Sequence, residues 1–311
     1  MRLLFVGLLY LVSTPTQLSS SRTMAITIDD LPTASVLGNA IDRAEKTTRD
    51  LLAAIRRANV PAIGFVNERK IETSGKEDPR RVALLQQWLD ARLELGNHTY
   101  SHPDLHRTEL KAFQDEVLRG EVVTKRLLAA KGQKPRYFRH PFLHTGRSLE
   151  VRDGLLTFLK EHGYAVAPVT VDNSDYSFAA AYDRSVEAGD ASQAARVVAA
   201  YLAYMEAVVA YYEQQSVAIV GREMAQTLLL HANALNAATF DQLVERIRKR
   251  GYAFVSLSKA LEDPTYELKD DYVGAAGMTW LHRWALTQGK KGIFAGEPVV
   301  PDWIQKLSDV R

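Results

Sequence analysis

The sequence predicts an α/β fold, a distorted (β/α) barrel of about seven parallel strands with a helical insertion before the sixth strand. Three observations predict it. Short apolar runs alternate with amphipathic stretches along most of the chain. No glycine-rich phosphate or dinucleotide loop follows the first run, which disfavours an open nucleotide-binding sheet. Residues able to bind a metal or move a proton gather where the runs end, and that end of a parallel barrel is where its active sites are built.

The elements follow in order. AITIDD (25–30) reads as the first strand and IDRAEKTTRDLLAAIRRAN as the helix after it. AIGFV (62–66) is the second strand, with a helix around RRVALLQQWLDA. LELGNH (93–98) is the third, followed by ELKAFQDEVLRGEVVTKRLLAAKG, whose apolar spacing predicts one long amphipathic helix. RYFRHP (136–141) is the fourth, before the helix EVRDGLLTFLKEHG. YAVAPVTVD (164–172) is the fifth, and TLLLH (227–231) the sixth, followed by FDQLVERIRKRG. AFVSL (253–257) closes the series, with SKALED opening a short helix.

Between the fifth and sixth strands, residues 177–224 read as the helical insertion. Its Tyr201, Tyr204, Tyr211 and Tyr212 read first as packing residues of a helical hairpin and second as the wall of a sugar groove. Beyond residue 263 the periodicity fades. The segment 264–311, with Trp280, Trp284 and Trp303, is expected to cover the core as an extension packed on a catalytic domain of residues 22–263.

At 311 residues and 46% hydrophobic content the chain can bury a large core. A net charge of +2 without a basic stripe speaks against nucleic acid as a partner. With no cysteine, disulfides, thiolate metal sites and cysteine nucleophiles are excluded. Residues 1–21 have the layout of a secretory signal peptide, with Arg2 ahead of an apolar run from Leu3 to Val12 and small polar residues up to Ser21. The expectation is a periplasmic or secreted protein with no stable membrane anchor after cleavage. The sequence carries no signal for an oligomeric state.

The strand ends hold the chemistry. Asp29 and Asp30 end the first strand; His98 ends the third, with His102 just beyond. Arg139-His140-Pro141-Phe142 ends the fourth, Asp172 to Tyr176 follow the fifth, and His231 ends the sixth. Two imidazoles and a carboxylate make a three-ligand face that leaves positions open, as catalytic zinc sites require. Pro103 biases His102 away from helical geometry, so the two rings must converge through a turn rather than along a helix. Asp30 also reads as a cap, and His98 as a hydrogen-bonded core histidine, when each is taken alone.

Five ordered motifs carry a family resemblance: TIDD (27–30), HTYSH (98–102), RHPF (139–142), DNSDY (172–176) and LLLH (228–231). With them the chain resembles the polysaccharide deacetylases, carbohydrate esterase family 4, with its NodB homology domain. The resemblance implies a metal-dependent hydrolase that removes acetyl groups from N-acetylated sugars of a polysaccharide. It implies Asp29 as general base, oriented by Arg139, and His231 as general acid, tuned by Asp175. It implies Asp30, His98 and His102 as ligands of a divalent metal ion, zinc first. Phe142 would supply an oxyanion donor, with Tyr176 and Leu229 shaping the acetyl pocket. Leu31 in place of the usual glycine and Tyr176 in place of tryptophan are departures. His140 and His144 read as substrate contacts or solvated loop residues; His106, His162 and His282 read as structural or surface residues. An O-acetyl xylan esterase and a non-catalytic carbohydrate-binding member of the fold are the alternatives.

Overall fold

The structure is a computed structural model that describes residues 22–309; the expected signal peptide lies outside the described residues. In chain order the elements are β1 (Arg22–Leu31), α1 (Ile41–Ala58), β2 (Ala62–Val66), a 3-10 turn (Glu68–Ile71), the two-residue strands β3 (Glu72–Thr73) and β4 (Lys76–Glu77), α2 (Pro79–Asp90) and β5 (Glu94–Asn97). Next come α3 (Leu110–Arg119), α4 (Val122–Ala129), β6 (Tyr137–Phe138), α5 (Leu149–Glu161) and β7 (Ala165–Val166). The insertion is α6 (Asp175–Glu187) with α7 (Ala191–Val220). The chain ends with β8 (Gln226–His231), α8 (Ala234–Lys249), β9 (Tyr252–Phe254), α9 (Leu257–Ala260), α10 (Trp280–Thr287) and α11 (Asp302–Ser308).

Seven strands form one parallel sheet in the order β7-β6-β5-β2-β1-β8, with β9 beside the start of β1. The expected fifth strand explains how the sheet curls. Its start pairs with β6, whereas Val171 at its far end bridges to Leu228 of β8. One extended segment therefore links the two edges of the sheet. The β1 core is continuous, because Met24, Ile26 and Ile28 are all buried between layers of helix. Among the described residues, the antiparallel β3-β4 hairpin alone has no counterpart in the expected strands.

The long helix expected after the third strand is two helices. α3 ends at Arg119 and α4 begins at Val122, with Gly120 between them. A Cβ on Gly120 would lie 2.3 Å from the Thr99 carbonyl carbon and 2.5 Å from the Tyr100 nitrogen. The helix breaks where it must pass against the HTYSH turn, and that contact comes from tertiary structure, not from apolar spacing. Glu68 then accepts hydrogen bonds from the Val123 and Thr124 N–H groups at 2.9 and 2.6 Å, satisfying the exposed start of α4.

In the insertion, α6 and α7 form the expected hairpin. Tyr201, Tyr204, Tyr211 and Tyr212 are all buried. α7 is long and apolar enough by composition to cross a membrane, but half of its most apolar window is buried inside the protein. The tail is more regular than its sequence suggests. Trp284 of α10 is buried in the main core, and the Trp280 N–H donates to the Val169 carbonyl at 2.8 Å, pinning the tail to the sheet.

Candidate active site

β1 and β8 run in parallel register, so Asp29 faces His231 across the ladder. On its other side, β1 slips register against β2 between Ile28 and Leu31. Such a bulge re-aims side chains at a strand end. Asp30 takes φ 72°, a left-handed conformation, and as a result both consecutive carboxylates reach the same cavity instead of opposite faces of the sheet.

That cavity measures about 1130 Å³. Asp29, Asp30, His98, His102, Phe142, Tyr176, Leu229 and His231 line it, while Arg139 and Asp175 lie buried behind its wall. All ten residues singled out by the sequence are thus brought to one place. Left-handed backbone concentrates there too: Asp30, Thr99, His102, Phe142 and Leu143 are five of the nine non-glycine residues with positive φ among the described residues. Strain of this kind persists where the surrounding structure enforces it, commonly at functional sites.

Asp30, His98 and His102 each offer a ligand atom within 4.8 Å of the other two. The donor set fits a divalent transition metal. Nδ1 of His98 faces the Arg139 carbonyl oxygen at 2.8 Å, which places a proton on Nδ1 and leaves the Nε2 lone pair for an ion. Burial pushes the pKa of both His98 and His102 down to about 4, so each ring is neutral near pH 7, as a ligand must be. Asp30 Oδ1 is buried without a hydrogen bond. Burial raises the Asp30 pKa, but the charges of Lys70 and His102 outweigh it and keep the group well below the usual carboxylate range.

Lys70 is a further residue of the site, one that the strand-end pattern does not single out. Its Nζ sits 3.2 Å from Asp30 Oδ1. Its signal is weak: Lys70 lies in the 3-10 turn that follows β2, four residues past the strand's last residue.

Asp29 is buried, and burial raises its pKa in spite of the nearby Arg139. Arg139 Nε stands 4.0 Å from Asp29 Oδ2, at ion-pair range rather than hydrogen-bonded, while Nη2 donates to Thr27 Oγ1 at 2.8 Å. Its guanidinium also lies over the Phe65 ring. Opposite, His231 Nδ1 meets Asp175 Oδ1 at 2.6 Å, and Asp175 Oδ2 accepts the His231 N–H at 2.9 Å and Asn236 Nδ2 at 2.6 Å. Burial alone would lower the His231 pKa, but the Asp175 charge and hydrogen bond lift it to about 10. The same contacts overcome burial to hold Asp175 below its usual value.

The remaining expectations separate. His140 lines the cavity and is buried, whereas His144 is not among the lining residues. Phe142 is half exposed at the cavity mouth with its ring 4.5 Å from that of His102, and Tyr176 stands edge-on to His231 at 6.4 Å. Leu229 packs with Leu143 and Val169. His162 is exposed and His282 buried against Tyr211, both outside the cavity.

A curled parallel sheet with these groups at its C-terminal edge has the architecture of the carbohydrate esterase family 4 barrel. The polysaccharide deacetylase family model matches residues 17–167. A peptidoglycan-N-acetylglucosamine deacetylase of Bacillus cereus is 26% identical over 153 residues, which are 49% of this chain and 46% of the relative. The chain thus matches about half the length of that curated relative. Among solved structures, a mutant of a carbohydrate esterase family 4 pseudoenzyme of Bacillus anthracis superposes with a TM-score of 0.50 at 17% identity, covering 78% of this chain and 68% of that one. A family 4 carbohydrate esterase from Streptomyces lividans, in complex with acetate, gives a TM-score of 0.49 at 18% identity, covering 78% of this chain and 97% of that one.

Proposed function

We propose that this chain is a metal-dependent hydrolase that removes acetyl groups from N-acetylated sugars of a polysaccharide, chitin-like or peptidoglycan-like, outside the cytoplasm. One observation carries the reading. A buried carboxylate, a three-residue ligand face and an aspartate-paired histidine converge on a single cavity from strand ends far apart in sequence. The match of residues 17–167 to the polysaccharide deacetylase model and the similarity to a peptidoglycan-N-acetylglucosamine deacetylase support the substrate class. The leader-like residues 1–21 support the location.

Asp30, His98 and His102 would hold the ion. When bound, a divalent ion supplies Lewis-acid polarisation of the acetyl carbonyl and lowers the pKa of water. Asp29 removes the proton from the attacking water, a task suited to a carboxylate whose basicity burial has raised. Arg139 fixes the electrostatic setting of Asp29 from behind the wall. His231, protonated near pH 7 through Asp175, delivers a proton to the departing amine nitrogen as the C–N bond breaks, leaving acetate and a free amine. The Phe142 N–H is assigned to the oxyanion, and Tyr176 and Leu229 to the acetyl methyl.

The test is acetate release from N-acetylglucosamine oligomers, peptidoglycan and acetylated xylan, with and without chelator. Activity on the first two that chelator abolishes and Asp29→Asn removes is the expected result. Release from xylan alone would reassign the chain to O-acetyl esterase chemistry. Equal release by Asp29→Asn would overturn the catalytic roles.

A further inference from the structure

Asp175 is the first residue of α6 and His231 the last residue of β8, so the paired groups come from segments far apart in sequence. Buried side chains from two other helices hold them together. Asn236, in the first turn of α8, donates through Nδ2 to Asp175 Oδ2 at 2.6 Å and to the His231 carbonyl oxygen at 2.8 Å. Its Oδ1 accepts the hydroxyl of Tyr201, from α7, at 2.6 Å. Tyr201, Asn236 and Asp175 are each at most 1% exposed, so none of them can trade these partners for water. Tyr204, three residues further along α7, accepts the Ser174 N–H at 3.2 Å, immediately before Asp175.

The two ends of a carboxamide are nearly the same shape, and its neighbours decide which way it points. Turned over, Asn236 would set its carbonyl oxygen against the Asp175 carboxylate and the His231 carbonyl, acceptor against acceptor at both contacts. The Tyr201 hydroxyl, by donating to Oδ1, turns both N–H groups of the amide toward Asp175 and His231 instead. Asp175 Oδ2 also takes the His231 main-chain N–H at 2.9 Å and Asn233 Nδ2 at 3.3 Å. With Oδ2 so occupied, Oδ1 is the oxygen that meets His231 Nδ1 at 2.6 Å, which leaves Nε2 as the ring nitrogen able to face a substrate. Hydrogen bonds in series, away from water, reinforce one another. Neither Tyr201 nor Asn236 lines the cavity.

We propose that Asn236 and Tyr201 are positioning residues for the proton donor: Tyr201 orients the Asn236 amide, and Asn236 clamps the Asp175 carboxylate and the His231 main chain so that the imidazole is aimed at the departing amine. The inference rests on the assignment of His231 as the general acid of acetyl removal. Tyr201 comes from the insertion, so a helix outside the barrel helps to set the barrel's acid.

The test compares Tyr201→Phe, Asn236→Ala and the double variant with the parent, each as the full chain with zinc supplied. On an N-acetylglucosamine oligomer, kcat is expected to fall about tenfold in Tyr201→Phe and about a hundredfold in Asn236→Ala, with KM unchanged. Adding Tyr201→Phe to Asn236→Ala should cost nothing more, because the hydroxyl acts through the amide. On p-nitrophenyl acetate, whose leaving group departs without a proton, all three variants should keep the parent's rate. Additive losses in the double variant, or equal losses on both substrates, overturn the proposal. The proton on His231 Nδ1 gives a readout that needs no turnover. Its low-field magnetic resonance signal is expected in the parent and should move upfield in both single variants; a signal unmoved in both overturns the clamp. A parent that releases no acetate would sink the hydrolase reading, and the resonance would still decide whether the clamp exists. Circular dichroism establishes that each variant is folded, and Tyr201→Phe, which removes only the hydroxyl oxygen, keeps the test decisive if Asn236→Ala does not fold.

Discussion

Replacing Asp175 by asparagine removes the charge that keeps His231 protonated while preserving the size of the side chain. The pair is well sheltered: Asp175 is fully buried, and His231 is 21% exposed with its ring nitrogen 2.6 Å from the carboxylate. Removing one partner of a buried ion pair costs about 3–5 kcal/mol. The titration consequence is sharper. With the carboxylate gone, burial dominates and the His231 pKa falls from about 10 to the ordinary histidine value or below. At pH 8 a group with a pKa of about 6.5 is protonated in only ~3% of molecules, so acid catalysis should fall at least about 30-fold. The assay is acetate release against pH. The parent should hold its rate until the alkaline side near pH 10, and the variant should decline above about pH 6.5. Stability must follow the same sign. The folded-state pKa is raised, so the pair's contribution is complete below about pH 6.5 and is lost as the pH climbs toward 10. The parent's advantage in denaturant unfolding should shrink over that window. An alkaline limb that stays in place in Asp175→Asn would refute the role of the pair.

Lys70→Met removes a cation 3.2 Å from Asp30 Oδ1 and is expected to tighten divalent binding by about tenfold, measured by competition with a chromophoric chelator. Gly120→Ala should destabilise by about 1–3 kcal/mol in urea unfolding, because the new methyl group meets main-chain atoms of Thr99 and Tyr100 that cannot swing away. Trp284→Ala should cost about 3–5 kcal/mol by the same measurement, since the indole is buried where the tail joins the core. Zinc affinity at the Asp30 face should change little from pH 8 down to 5 and fall as the pH approaches 4, where His98 and His102 take up protons.

The strand ends were legible because their signals are local. A short apolar run announces a buried parallel strand, and the residue that follows it is at the barrel mouth whatever the helices do. Asp29, His98, Arg139 and His231 could therefore be placed from order alone. The features that escaped depend on which segments touch. The bulge that turns Asp29 and Asp30 to one side arises from the register of β1 against β2. The break between α3 and α4 arises from Gly120 meeting the HTYSH turn. His106 reads as a structural or surface residue until the fold brings His144, distant in sequence, to stack on it. The tail looked irregular because its glycines and prolines hide two short helices whose stability comes from docking, not from propensity.

The pairing of Asp29 with His231 on one rung has a consequence for divergence. The gap between the groups assigned to take and to give the proton is set by main-chain hydrogen bonds between adjacent strands, so it is indifferent to what the surrounding helices are made of. Residues contributed by α6, α7 and the tail form much of the opposite cavity wall and lie beyond the stretch that matches the family. That wall can be rebuilt by mutation, insertion or exchange while the chemical gauge stays constant. A lineage using this scaffold is free to change what that wall accepts without disturbing the spacing of the two groups.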